Sequence, residues 1–302
     1  MLSLKLFTLA SFLWPLAVVL AVEPAAVYDG GFGDKGDILL KIGNGGAGQS
    51  GLVKELADAF IKQSVKGGAD KFRVAWYKSD TTESINYLKD GTVDVAITYS
   101  PVAEKIAMDQ GIAQKPSYYI FRDHFLLVGP PSTNPAKISK ESDITTIFST
   151  LYAAGEAANT DPPVRFLSRY DKSATNIKDS ELFIQVGQVP WATKYTTWYH
   201  QYIAYPIQAL TAAALLKEYT ITDRGTLLSV DSKIRDQVTI YKSGGDKDPK
   251  DPLLNPAHLI IGAKSKNNET AHDFAEWLVG KDGQKVIKGF KKGEEFLYSG
   301  AP

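Results

Sequence analysis

An α/β fold with a largely parallel sheet is what this sequence predicts, on three observations. Short apolar strands alternate with amphipathic helical stretches from Ile38 to Val128. The joints between them are rich in glycine and hydroxyl residues. A Gly129-Pro130-Pro131 stop is followed by a second run of the same pattern, and 302 residues is a length for about two domains.

The elements follow in order. Val22–Lys35 is small and Gly-rich and reads as a loose leader. Ile38–Ile42 is a buried strand, running into Gly43-Asn44-Gly45-Gly46-Ala47-Gly48-Gln49, with Ser50 placed to cap a helix whose Leu52, Val53, Leu56 and Phe60 share one face. Phe72–Trp76 is the second strand, and a helix from Thr81 or Thr82 through Leu88 stops at Gly91. Val93–Thr98 is the third strand, ending at Tyr99-Ser100-Pro101 before a helix over Ala103–Asp109, and Phe125–Val128 is another. Beyond the prolines come a helix over Lys137–Tyr152, a turn at Asn159–Pro163 and the stretch Val164–Thr175. Helix resumes at Lys178–Val186. Trp191–Tyr205 is aromatic-rich and reads as core and interdomain packing. Ile207–Tyr219 is helical, Tyr219–Asp223 a turn and short strand, Ser243–Pro256 a loop, Leu259–Ile261 a strand, and Thr270–Val279 and Gly283–Phe290 helices.

Ligands of parallel sheets sit at the C-terminal ends of strands, here Gly43–Gly48 and Tyr99-Ser100. Val164–Thr175, VRFLSRYDKSAT, adds the chemistry. Arg169 is a permanent forked cation, Ser173 and Thr175 are hydroxyl donors, and a helix start supplies free backbone N–H groups and positive dipole. Together these would grip an anion. The competing reading pairs Arg169 with Asp171 on the surface and leaves Ser173 as a plain helix cap.

Composition excludes more than it proposes. Lys+Arg and Asp+Glu are both 34, and no basic stripe points to nucleic acid. The four histidines have no metal-ligand spacing, and there is no G-x-S-x-G elbow and no cysteine nucleophile. No catalytic set, metal site or cofactor is predicted. Gly43, Gly45 and Gly48 satisfy G-x-G-x-x-G, which raises a dinucleotide reading. However, the next strand ends in Lys78-Ser79 and not in the acid that would hold a ribose. Met1–Ala21, with Lys5 its only charge, reads as a secretory signal peptide, and no other segment could span a bilayer. Asn268-Glu269-Thr270 is the one glycosylation sequon.

The sequence resembles tungstate/molybdate-type solute-binding proteins, the extracellular receptors of ABC oxyanion uptake systems, within the type 2 periplasmic-binding-protein fold. The resemblance runs from about Ile38 to Tyr298. It rests on Ser50-Gly51-Leu52, on Asp94–Ile97 with Pro101 and Glu104, on FLLVGP at Phe125–Pro130, and on FLSRYDKSAT at Phe166–Thr175. YTITDRGT at Tyr219–Thr226, Asn255-Pro256, and Trp277-Leu278 with Gly283-Gln284 complete it. It implies two α/β lobes, each a mixed sheet flanked by helices, joined by two crossovers near Gly129–Pro131 and Leu253–Pro256. Lobe 1 would be 36–129 plus 256–302 and lobe 2 would be 130–255, after a signal peptide at 1–21. By resemblance Arg169 and Thr175 would touch the anion, with Ser173 nearby. The expected ligand-binding set is Asn44, Gly45, Gly46, Ser50, Ser100, Arg169, Ser173 and Thr175. Two stretches depart from the family pattern: Gly43–Gly46 replaces a loop rich in Thr and Ser, and IAYPIQ at Ile203–Gln208 replaces a Gly/Met-rich one.

The expectation is therefore a secreted, monomeric, non-enzymatic binder of a small anion, tungstate or molybdate first, with an ABC permease as partner where a transporter exists. The sequon and cysteine-free leader also fit a secreted, fungal-like eukaryotic relative, and the altered loops a binding or surface protein with no transport role and a changed ligand. An enzyme and a dinucleotide binder stand behind these.

Overall fold

The computed structural model describes residues 22–34, 36–193 and 195–302; the expected signal peptide lies outside them. β1 (Ala26–Tyr28), β2 (Ile38–Asn44), α1 (Gly46–Ser50), α2 (Leu52–Lys66), β3 (Arg73–Lys78), α3 (Thr81–Asp90), β4 (Val95–Thr98) and α4 (Pro101–Asp109) lead to the long strand β5 (Tyr118–Gly129). Next come α5 (Ile144–Ala157), β6 (Phe166–Ser168), α6 (Ala174–Gln185), β7 (Tyr199–Gln201), α7 (Pro206–Leu216), β8 (Tyr219–Asp223), α8 (Arg224–Ser229), α9 (Ser232–Arg235) and β9 (Thr239–Ser243). The chain returns through β10 (Leu254–Ile261), α10 (Asn268–Val279), α11 (Lys281–Gly289), β11 (Lys291–Lys292), β12 (Glu295–Phe296) and β13 (Ser299–Gly300).

The two-lobed architecture follows from two strands. β5 lies between β10 and β13 over its first half and between β8 and β9 over its second. β10 pairs antiparallel with β5 through Leu254–Leu259 and with β4 through His258–Ile261. One curled sheet thus runs β1-β3-β2-β4-β10-β5-β8-β6-β7. Its parallel neighbours are β2 with β3 and β4, and β6 with β7 and β8. Each half buries both faces. In the first, Leu40, Ile42, Leu56, Phe60, Phe274 and Leu278 pack on one side and Ala75, Leu88, Val93 and Ile260 on the other. In the second, Phe125 and Leu127 join Phe148, Phe166, Phe183, Trp198 and Tyr219, while the alternate residues Leu126 and Val128 face Leu210 and Leu227, as a strand's period of two requires.

Several elements differ from the sequence reading. The leader is not loose: Ala26–Tyr28 adds an antiparallel edge strand to β3. Ser50 does not start the long helix. It ends α1, and Gly51, at φ +98°, breaks the chain before α2 begins at Leu52. β5 begins at Tyr118, seven residues before the expected strand, and β10 begins at Leu254 despite Pro256. α5 starts at Ile144, capped by Asp143, because Asn134 and Lys137 have positive φ and the Asn134 side chain closes its own turn onto Ile138. The aromatic run contains β7, and Trp198 and Tyr199 are buried in the second core as expected, whereas Tyr195 is exposed.

Candidate functional site

A cavity of about 40 Å³ lies between the two halves of the sheet. On that scale one water needs roughly 10–15 Å³, so the space suits a small ion. The first half contributes Gly45 and Gly46 from the β2–α1 turn, Ser79, Asp80 and Thr81 from the β3–α3 turn, and Ile97 and Tyr99 from the end of β4. The second contributes Arg169 and Ser173–Thr175 from the β6–α6 turn, Tyr205 and Pro206 ahead of α7, and Asp223 at the end of β8. Asp123 and Asn255, register partners on β5 and β10, close the floor. First-turn residues of α3, α6 and α7 (Thr81, Ala174 and Pro206) line this one space, so three helix N-termini bring positive dipole to it.

Arg169 is 6% exposed. Its Nε donates to the Ala204 carbonyl at 3.0 Å and its Nη2 to Asp171. Asp171 in turn accepts from the Ser173 amide at 3.0 Å. Arg169 therefore does pair with Asp171, as the competing reading has it, but buried in the cleft wall and not on the surface. The pair leaves Nη1, which donates to nothing among the described residues. Ser173 caps α6 by accepting from the Asn176 amide at 3.3 Å, so its own hydroxyl hydrogen stays available. Tyr99 accepts from the Asn44 amide at 3.4 Å and from Ala47 N–H at 3.3 Å, which likewise frees its O–H. Burial holds Tyr99 far above the usual phenol range, so it remains a donor.

Three carboxyl groups share the space. Asp80 caps α3, and burial raises its pKa. Burial also raises Asp223, opposed by Thr226, whose amide and hydroxyl donate to its two oxygens at 2.7 and 2.5 Å. Asp123 is pushed well above the carboxylate range by burial and by Asp223. Contacts also cross the cleft mouth: Thr82 Oγ1 donates to Lys172 O at 2.9 Å, and Lys78 Nζ lies 3.9 Å from the Tyr205 ring centre.

Of the expected set, Gly45, Gly46, Arg169, Ser173 and Thr175 line this cavity. Asn44, Ser50 and Ser100 do not. Asn44 spends its side chain on Ile97 O and Gly48 N–H, holding the turn. Ser50 bonds Ala47 O and the Tyr298 hydroxyl at 2.8 Å. Ser100 caps α4 and lines a separate groove with Phe125 and Lys178. Sequence reasoning gave no role to Asp80, Asp123, Asp223 or Asn255. Asp223 and Asn255 lie in family-like motifs, but Asp123 falls in the first part of β5, ahead of the strand that was expected.

The glycine run is explained by packing. A Cβ on Gly45 would lie 2.8 Å from Ser79 O, and one on Gly48 2.1 Å from the Trp76 indole. A cavity of about 40 Å³ is far too small for a dinucleotide. Among the described residues no group of three His, Cys, Asp or Glu side chains could hold a metal ion, and no helix is long and apolar enough to cross a membrane.

Similarity to known proteins agrees with this geometry. A solved structure described provisionally as a periplasmic metal-binding protein is 66% identical, with TM-score 0.84, and covers 92% of this chain and 99% of that one. A tungstate-binding protein, TupA, from Peptoclostridium acidaminophilum is 28% identical over 266 residues, 85% of this chain and 82% of that protein. The structure of TupA from Desulfovibrio alaskensis G20 shares the fold, with TM-score 0.69 at 22% identity over 89% of this chain and all of that one. None of these supports the eukaryotic origin suggested by the sequon; Asn268 itself is exposed in the first turn of α10 and accepts from Gln114. Residues 33–282 match the PBP superfamily domain, and the chain belongs to that superfamily.

Proposed function

We propose that this protein is the solute-binding component of an ABC oxyanion uptake system, exported through its N-terminal segment, and that it captures a tetrahedral anion of the tungstate/molybdate class. The observation that carries the reading is the cavity itself. The free Nη1 of Arg169, the hydroxyls of Ser173, Thr175 and Tyr99, and three helix N-termini converge on a space for one small ion. Gly45, Gly46, Arg169, Ser173 and Thr175 are the contacts we assign. The lobes would be 36–129 with 256–302, and 130–255, hinged on β5 and β10, with closure trapping the anion. The tungstate-binding relatives support the ligand class.

The relative described as metal-binding raises a second reading, a bare cation in this cavity, although among the described residues no three acidic or imidazole side chains are grouped to hold one. A buried Arg169 beside that space works against it. A thermal-shift titration of residues 22–302 separates the two. A ligand that binds only the folded state adds about 2.7 kcal/mol of stability at a hundred times its Kd. We expect a clear rise in midpoint with tungstate or molybdate. A rise with divalent cations alone would replace this reading with the second, and no rise with tungstate, molybdate, sulfate or phosphate would refute it.

A further inference from the structure

The floor of the cleft carries an acid where an anion receptor would be expected to carry a donor. Asp123 Oδ1 accepts from the His124 amide at 2.7 Å, and the nearest donor to Oδ2 is Asn255 Nδ2, at 3.5 Å. Asn255 is 4% exposed, lines the same cavity, and its Oδ1 is buried with no partner. This corner therefore offers two acceptors, Asp123 Oδ2 and Asn255 Oδ1, against one donor. It is one hydrogen short, and an arriving oxyanion would bring only further acceptors.

The surroundings say where the hydrogen goes. Asp223 of β8 faces the same cavity, but each of its oxygens already accepts a hydrogen from Thr226. Arg224 of α8 acts on Asp123 electrostatically and points its Nη2 to Glu295. Arg169, across the cavity, is paired with Asp171. Tyr99 of β4 and Tyr298 of the C-terminal tail are both held as phenols by burial. Along β5 itself, the Arg122 and His124 side chains are both turned to Asp246. No cation forms a hydrogen bond or ion pair with Asp123 among the described residues.

Resting on the oxyanion reading above, we infer that Asp123 meets the anion as a carboxylic acid, so that capture of a fully deprotonated oxyanion is coupled to one hydrogen held on Asp123. The balance is simple. The carboxylate takes H⁺ from the buffer, and the resulting O–H donates to an oxygen of the bound anion, with no bond to the anion made or broken. The bound dianion repels a charged Asp123 and favours its acid form further. Asp123 is thus a specificity-determining contact that makes the site select for pH as well as for shape.

The test uses tungstate and residues 22–302 between pH 6.5 and 10. By linkage, affinity is level below the pKa of Asp123 in the free protein and falls above it by up to about tenfold per pH unit. Calorimetry at pH 8.5 in buffers of different ionisation enthalpy should show net proton uptake, up to one per anion. Asp123→Asn carries a permanent N–H donor at the same place, and its affinity should lose the pH slope. Tungstate binding with no proton uptake and no slope across the range overturns the inference while leaving the oxyanion reading intact. A slope that persists in Asp123→Asn assigns the hydrogen elsewhere and also overturns it. Absence of any heat or midpoint shift with tungstate, molybdate, sulfate and phosphate at every pH removes the oxyanion reading and this inference together. If Asp123→Asn fails to fold, the wild-type proton count decides alone.

Discussion

Replacing Arg169 by alanine removes the one permanent cation among the residues lining the cavity. A hydrogen bond from a charged donor contributes about 1.5–3 kcal/mol, which at about 1.4 kcal/mol per decade is roughly 10- to 150-fold in Kd. Two features push the loss to the upper end. Asp171, whose side chain is 11% exposed, loses its ion-pair partner and stands uncompensated beside the anion site. The Ala204 carbonyl also loses its donor, which loosens the loop ahead of α7. We expect tungstate affinity to fall at least about 100-fold by calorimetry, measured well below the variant's unfolding midpoint. The double variant Arg169→Ala/Asp171→Asn removes the stranded charge and should recover about tenfold of the loss. Affinity within threefold of wild type in the single variant, or no recovery in the double, would refute the assignment of Arg169 to the anion.

Two further predictions concern the frame. Gly48→Ala places a methyl 2.1 Å from the Trp76 indole; overpacking of this kind costs about 1–3 kcal/mol, and a lower midpoint should be seen by calorimetric scanning with no change in secondary structure. Asp179 is buried under Ser168, Asn176 and Ser180, and burial raises its pKa to about 7. Its folded pKa lies above the unfolded value, so the folded state binds more protons between the two, and stability falls as pH rises from about 4 to 7. Asp179→Asn should therefore gain stability relative to wild type at pH 8, and the gain should vanish towards pH 4 in denaturant titrations at the two pH values. An equal difference at both would refute the linkage.

What the sequence made legible follows a physical divide. Strand-then-helix joints are local: β2 into α1, and β6 into α6 with Ser173 as its cap, can be read from a few adjacent residues. Five of the eight expected residues line the cavity, and all five lie at those joints. The cavity-lining residues that were missed on its floor come from partners far apart in the chain. Asp123 and Asn255 meet only because β5 and β10 pair across 132 positions; Asn255 sits in a local motif, but nothing local marks Asp123 or their meeting. The Tyr118–Gly129 strand is not a clean alternation, because it changes partners halfway along and buries different faces in the two halves of the sheet. Ser50 misled for a related reason. A hydroxyl before Leu52 looks like a cap, but Gly51 takes the left-handed turn that separates two helices, and Ser50 reaches 248 positions along the chain to Tyr298.

The two stretches that depart from the family pattern have different consequences. In the first, the hydroxyls missing from Gly43–Gly46 are replaced in kind: Gly45 lets the backbone approach Ser79, and Tyr99 sets its hydroxyl over the same turn. In the second, Pro206 opens α7 without an N–H to offer, and its neighbour Tyr205 lines the cavity and receives Lys78 on its ring from the opposite half. Where Pro206 offers no donor, Tyr205 makes a contact that bridges the two halves. Such a site relies less on hydrogen bonds counted one by one and more on excluding water, since the same donors act more strongly where solvent is absent. On the proposed oxyanion reading, Thr82 with Lys172 and Lys78 with Tyr205 would add to affinity without touching the anion, because a closed cavity would make Arg169, Ser173 and Asp123 more effective.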